Sequence, residues 1–159
     1  MTPSEIRFTA DGMLQSLGAW LRLMGCDCVC QQGKPSRALL EQAVADERIF
    51  LTRNAHLWDN LPRTLLDRGR VVSVLAEHLP GQVREVVTRF AIDTESFAFT
   101  RCIRCNVLLE HTGTVPDDIP PNVAAQEKEF WHCPSCRQTF WRGSHVHNSL
   151  ARLRNWLQG

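Results

Sequence analysis

Short apolar runs take turns with longer amphipathic stretches over the first ninety or so residues. Residues 6–10 read as a strand that delivers Asp11 at its C-terminal end. Residues 13–24 read as a helix: Leu14, Leu17, Leu21 and Met24 repeat at three- and four-residue spacing, with Met13 and Trp20 widening the apolar face. Gly25 is the expected stop. A second strand over 26–30 puts Cys26, Cys28 and Cys30 on one face, as small core residues; a second metal site there is the alternative. Ser36 is placed to N-cap a helix to about Asp46, with Leu39, Leu40, Ala43 and Val44 buried. Ile49–Thr52 has the apolar run of a central parallel strand. Helical segments at 56–59 and 62–68, a strand at 71–75 and a helix at 81–90 complete the series.

Strand and helix alternate with short connections, so the fold class is α/β: a parallel sheet with helices on both sides. In such sheets ligands bind at the carboxyl ends of the strands, where Asp11 and Thr52-Arg53-Asn54 both fall.

The pattern changes after residues 91–96, which divide the chain into 1–95 and 96–159. The second part carries Cys102-Ile103-Arg104-Cys105 and Cys133-Pro134-Ser135-Cys136. Two Cys-x-x-Cys steps place four thiolates in two tight turns, the ligand set of one structural tetrahedral ion. Zinc is the expected metal, iron in a rubredoxin-like centre the alternative with the same ligands, and two disulfides the alternative without metal. A strand at 107–110, a proline-bearing loop over 113–122 and flanks at 130–132 and 139–141 make this a small zinc ribbon. Ser144 is placed to cap a last helix with Leu150, Leu153, Trp156 and Leu157 on its apolar side. His132 and His145 stay outside the metal site, since four cysteines fill it.

Composition narrows the setting. At 159 residues, 43% hydrophobic and 22% charged, the chain reads as one medium or two small globular domains. The N-terminus lacks an apolar h-region and no run is long enough for a membrane span, so a cytoplasmic location with reduced cysteines is expected. A net charge of +1 gives no general attraction to nucleic acid. The cations are nearly all arginine, which suits phosphate contact: Arg22, Arg53, Arg152 and Arg154 are the nucleic-acid-binding candidates. Arg22, on an amphipathic helix, reads more readily as a surface or salt-bridge residue.

Phe8-Thr9-Ala10-Asp11-Gly12-Met13-Leu14, Trp20-Leu21-Arg22-Leu23-Met24-Gly25, Leu51-Thr52-Arg53, both Cys-x-x-Cys steps and Trp141-Arg142-Gly143-Ser144-His145 come in a specific order. In that combination, from about residue 6 to 157, the chain resembles the "mutator-seven" C-terminal RNase domain family. The resemblance implies a PIN-like nuclease fold followed by a zinc ribbon, and metal-dependent RNA cleavage with Asp11 as first ligand of Mg²⁺ or Mn²⁺. It also brings out departures. The family's Thr-Arg-Asp is Thr52-Arg53-Asn54 here, and its acidic opening of the second helix is Lys34-Pro35-Ser36-Arg37. Asp59, with Glu41 beyond it, is the nearest replacement carboxylate.

Two functions follow. The first is a PIN-like ribonuclease with a depleted carboxylate site, in which Asp11, Asn54, Asp59 and Thr52 are catalytic. The second is a catalytically inactive module that binds RNA or a ribonucleoprotein, in which arginines interleave with the aromatics Trp131, Phe140, Trp141 and Trp156. A third possibility is a protein-interaction adaptor whose ribbon recognises another protein; the tryptophans also read simply as the small domain's own core.

Overall fold

The computed structural model describes residues 6–159; the first five residues, on which the reading of the extreme N-terminus rests, lie outside the described residues. In chain order the elements are β1 (Arg7–Ala10), a 3₁₀ turn (Gly12–Leu14), α1 (Gln15–Leu23), β2 (Asp27–Cys30), α2 (Ser36–Ala45), β3 (Ile49–Thr52), a second 3₁₀ turn (Leu57–Asn60), α3 (Arg63–Arg68), β4 (Arg70–Ser73) and α4 (Leu79–Phe90). There follow β5 (Glu110–Thr112), α5 (Pro121–Gln126), β6 (Phe130–His132), β7 (Thr139–Trp141) and α6 (Ser144–Gln158).

The first four strands form one parallel sheet in the order β2-β1-β3-β4. Side chains alternate across it, as a two-residue period requires. Phe8, Ala10, Ile49, Leu51 and Val72 face a core completed by Leu17 and Leu21 of α1 and Val83 and Val86 of α4. Phe50 faces the opposite layer, with Leu39, Leu40 and Ala43 of α2 and the flanking Leu65 and Val71. The chain leaves β1 towards β2 and crosses back to β3, so the order reverses between β1 and β3. Asp11 and Thr52 stand at that point.

The second sheet, β5-β6-β7, is antiparallel and carries the four-cysteine cluster, the arrangement of a zinc ribbon. It leans on the first sheet. Among the described residues strand β2 pairs only with β1, and the Cys28 backbone groups on its other edge are taken by side chains: its N–H donates to Asn106 Oδ1 of the ribbon part at 3.0 Å and its C=O accepts from Arg22 Nε of α1 at 2.7 Å. Helix α6 then returns to pack on α4, bringing Leu153 into the α1-side core and Trp156 to 4.4 Å from Trp20. Among the described residues no helix is long and apolar enough to cross a membrane.

Several boundaries differ from expectation. The expected strand at 107–110 is β5 three residues later, with Leu108 making only an isolated bridge to Arg101. The proline loop ends in α5, which Pro121 opens at a position that needs no N–H. The fourth strand stops at Ser73 because the Glu85 carboxylate accepts from the N–H groups of Leu75 and Ala76. Helix α4 starts at Leu79, with Pro80 in its first turn. Neither Ser36 nor Ser144 caps its helix: Pro35 and Gly143 hold those positions, with no side-chain cap.

Candidate functional site

Asp11 follows β1 directly, and its N–H extends the β1–β3 ladder by donating to Leu51 C=O at 2.9 Å. The residue is 2% exposed. Both oxygens of its carboxylate accept from protein donors. Oδ1 accepts from Gly12 N–H at 2.7 Å and Ser36 Oγ at 2.9 Å; Oδ2 accepts from Ser36 Oγ at 2.8 Å and Thr52 Oγ1 at 2.6 Å. A carboxylate offers about four acceptor positions, and three donor protons face them here, one each from Gly12, Ser36 and Thr52. Ser36 has only one hydroxyl proton, so its two contacts are one shared bond that can be released by a single rotation.

Thr52 ends β3 and is 1% exposed. Its Oγ1 donates to Asp11 and accepts from Asn54 N–H at 3.0 Å. Asn54 in turn accepts from His56 N–H at 3.1 Å, an Asx turn that starts the path into the second 3₁₀ turn. A cleft of about 330 Å³ opens here, lined by Ser36, Arg37, Asn54, His56, Leu57 and Leu61. Thus Asp11, Thr52 and Asn54 come together as one hydrogen-bonded group, with Ser36 as a member whose part the capping expectation missed. The signal was present: position 36 lies where the resemblance has an acid.

The replacement carboxylates stay apart from this group. Asp59 is exposed and bonded to His56 Nδ1 at 3.0 Å. Glu41 pairs with Arg37 on the open face of α2 at 2.9 Å. Among the described residues no group of three or more Asp, Glu, His or Cys side chains converges around Asp11.

The arginines divide. Arg53 is exposed beside Thr52, and Arg152 is exposed on α6. Arg154 is bonded to Glu95 at 2.7 Å. Arg22 departs from the expectation of a phosphate contact. It is 8% exposed, and besides Cys28 C=O it donates through Nη1 to the carbonyls of Ile103 and Arg104 at 2.9 and 3.0 Å. Those two residues are the middle of the first Cys-x-x-Cys step, so Arg22 joins α1 to the metal turn.

The four sulfurs of Cys102, Cys105, Cys133 and Cys136 lie within 4.8 Å of one another, and Cys102 and Cys136 are 3.9 Å apart. Four ligands at a zinc–sulfur distance of ~2.3 Å sit about 3.8 Å apart, so the cluster is sized for a tetrahedral ion. The N–H groups of Cys105 and Cys136 point at Cys102 Sγ and Cys133 Sγ from 3.5 and 3.4 Å. Burial pushes the Cys102 thiol up to about 12, so a thiolate there needs a cation beside it. His132 is bonded to Glu110 and His145 is exposed; neither joins the cluster.

A family model described as the Mut7-C RNAse domain matches residues 6–153. No curated protein and no solved structure gives a significant match.

Proposed function

The chain belongs to the Mut7-C RNAse domain family, and on that premise we propose that it is a metal-dependent ribonuclease of PIN-like type, cleaving RNA phosphodiesters at the rim around Asp11. The observation that supports this reading is the buried Asp11–Thr52 pair at the point where the strand order reverses. Magnesium and manganese are held by one or two carboxylates together with substrate phosphates, so the residues fit such an ion only in company with RNA. Asp11 is the one carboxylate, with Thr52 and Asn54 beside it. When bound, the ion activates water and neutralises charge on the phosphate. The chain's own residues set the conditions: Thr52 orients Asp11, Asn54 holds Thr52, and Arg53 meets a phosphate oxygen from the rim. Ser36 is the gate, because its hydroxyl must turn from Asp11 before an ion can take that oxygen.

The ribbon cluster holds zinc in a structural role, since four protein ligands leave no open position. A cytoplasmic location keeps those thiols reduced.

One observation favours a second reading, an inactive module that binds RNA, a ribonucleoprotein or, through the ribbon, another protein. Both oxygens of Asp11 already accept from protein donors, and Glu41 and Asp59 are paired elsewhere. The aromatics serve that reading little: Trp156 packs at a tilt against Trp20, and Trp131 already meets His111 edge-on and the Arg142 guanidinium.

The deciding experiment is cleavage of structured and single-stranded RNAs with Mg²⁺, Mn²⁺ or EDTA. Cleavage that needs metal and disappears in Asp11→Asn establishes the ribonuclease. Ser36→Ala should then tighten Mn²⁺ about fivefold, the worth of one net hydrogen bond of ~1 kcal/mol. A silent wild type beside an active Ser36→Asp/Asn54→Asp protein establishes the disarmed module instead. Silence in both sinks the ribonuclease.

A further inference from the structure

A second cavity, of about 340 Å³, lies away from Asp11 and is lined by Ala43, Val44, Glu47, Arg48, Arg68 and Arg70. It gathers three arginines where α2 turns into β3 and α3 turns into β4. Arg48 is tied to Asp27 through both terminal nitrogens, at 2.7 and 3.1 Å, so it forms a neutralised wall. Arg68 and Arg70 are different: both are exposed, and neither has an ion pair among the described residues.

The turn that carries them packs closely. They flank Gly69, where a Cβ would stand 3.1 Å from both Leu40 Cδ1 and Leu65 O and 3.3 Å from Val44 Cγ2. A side chain there would press on α2 and on the α3 backbone, so the α3–β4 turn packs closely against α2 beside both arginines. The opposing charge is Glu47, an exposed residue at the α2–β3 turn with φ of 55°.

We propose that this cavity is a second phosphate site, in which Arg68 and Arg70 hold a backbone phosphate of the RNA whose cleavage point lies at Asp11. The proposal rests on the ribonuclease reading for its ligand. Planar guanidinium forks suit phosphate oxygens, and a chain of net charge +1 needs such local cations to hold a polyanion. Register gives the reach. Arg70 pairs with Ile49 at one end of the β3–β4 ladder and Ser73 with Thr52 at the other. Three residues, about 10 Å of strand, separate those rungs, a span that a short single strand of RNA covers along the β4 edge. Glu47 weakens the site and so keeps it reversible.

The test is binding in EDTA, where cleavage is off, of a labelled single-stranded RNA and, separately, of inorganic phosphate. The proteins are wild type, Arg68→Ala/Arg70→Ala and Glu47→Gln, all changes at exposed positions. The double variant should bind RNA about tenfold more weakly, and the slope of log affinity against log salt should become shallower by about 0.7, the single-strand value for one phosphate left unneutralised. Glu47→Gln should tighten binding. Arginine-dependent binding of inorganic phosphate, with RNA indifferent to both changes, overturns the RNA assignment and makes free phosphate the ligand. Indifference of both ligands overturns the site. A chain that never cleaves yet shows the arginine dependence sinks the ribonuclease and leaves this site standing; a cleaving chain without it does the reverse.

Discussion

Asp27 opens β2, and its carboxylate accepts from Arg48 and from Asn106 Nδ2 at 2.7 Å. Burial alone would raise its pKa, but the Arg48 and Asn106 hydrogen bonds outweigh that and hold it below the usual carboxylate value of 3.8. A pKa lower in the folded than in the unfolded chain gives stability that is present above the unfolded value and lost as pH falls through the folded one. Asp27→Asn should therefore cost about 2 kcal/mol near neutral pH, the worth of hydrogen bonds to a charged group. The gap from wild type should begin to narrow as pH falls below the unfolded value of 3.8 in denaturant titrations. A gap that persists unchanged at pH 3 would sink the account. At this scale the sequence was only partly legible. Asp11 and Thr52 were readable from strand ends, whereas Ser36 and Arg22 resembled a helix cap and a surface cation. Their partners, Asp11 and the Ile103–Arg104 carbonyls, lie 25 and 81 to 82 residues away, and no local pattern carries that information.

Helix α1 and strand β2 meet through one missing side chain. A Cβ on Gly18 would fall 2.0 Å from Cys30 Sγ and 3.5 Å from Cys28 Sγ, two sulfurs themselves 3.8 Å apart. Helix propensity favours alanine here by about 1 kcal/mol, but overpacking a closed contact costs about 1–3 kcal/mol. Gly18→Ala should thus destabilise despite its better propensity, and Gly18→Ala/Cys30→Ala should restore most of the loss in thermal melts. If the single variant is more stable than wild type, the packing argument fails. The parallel strands and long helices were legible because each carries its own period, and Gly25 marked the end of α1 at φ of 89°. Strand β5 and helix α5 were not: β5 is three residues of Glu-His-Thr with no apolar alternation, and it exists because β6 pairs with it.

Taken as a whole, the chain has two sheets but shared packing. The sequence places a boundary at residues 91–96, while α6, from beyond it, supplies Leu153 to the first core. The metal turn is likewise tied into the first sheet by Arg22, and Asn106 by its bonds to Cys28 and Asp27. Metal loss should therefore be felt well beyond the ribbon. A sheet whose outer strand has its N–H and C=O covered by side chains cannot recruit another strand there; uncovered, it becomes a template for one. The Cys28 backbone groups are covered only while Asn106 and Arg22 stay in place. Chelation should therefore convert the protein from a dispersed species into β-rich aggregates that scatter light and bind amyloid dyes, and Asn106→Ala should do so at lower chelator. Unchanged scattering after complete metal removal would rule this out. Aggregation on chelation would make the metal cluster a guard of solubility, one that keeps a neighbouring strand from finding the wrong partner.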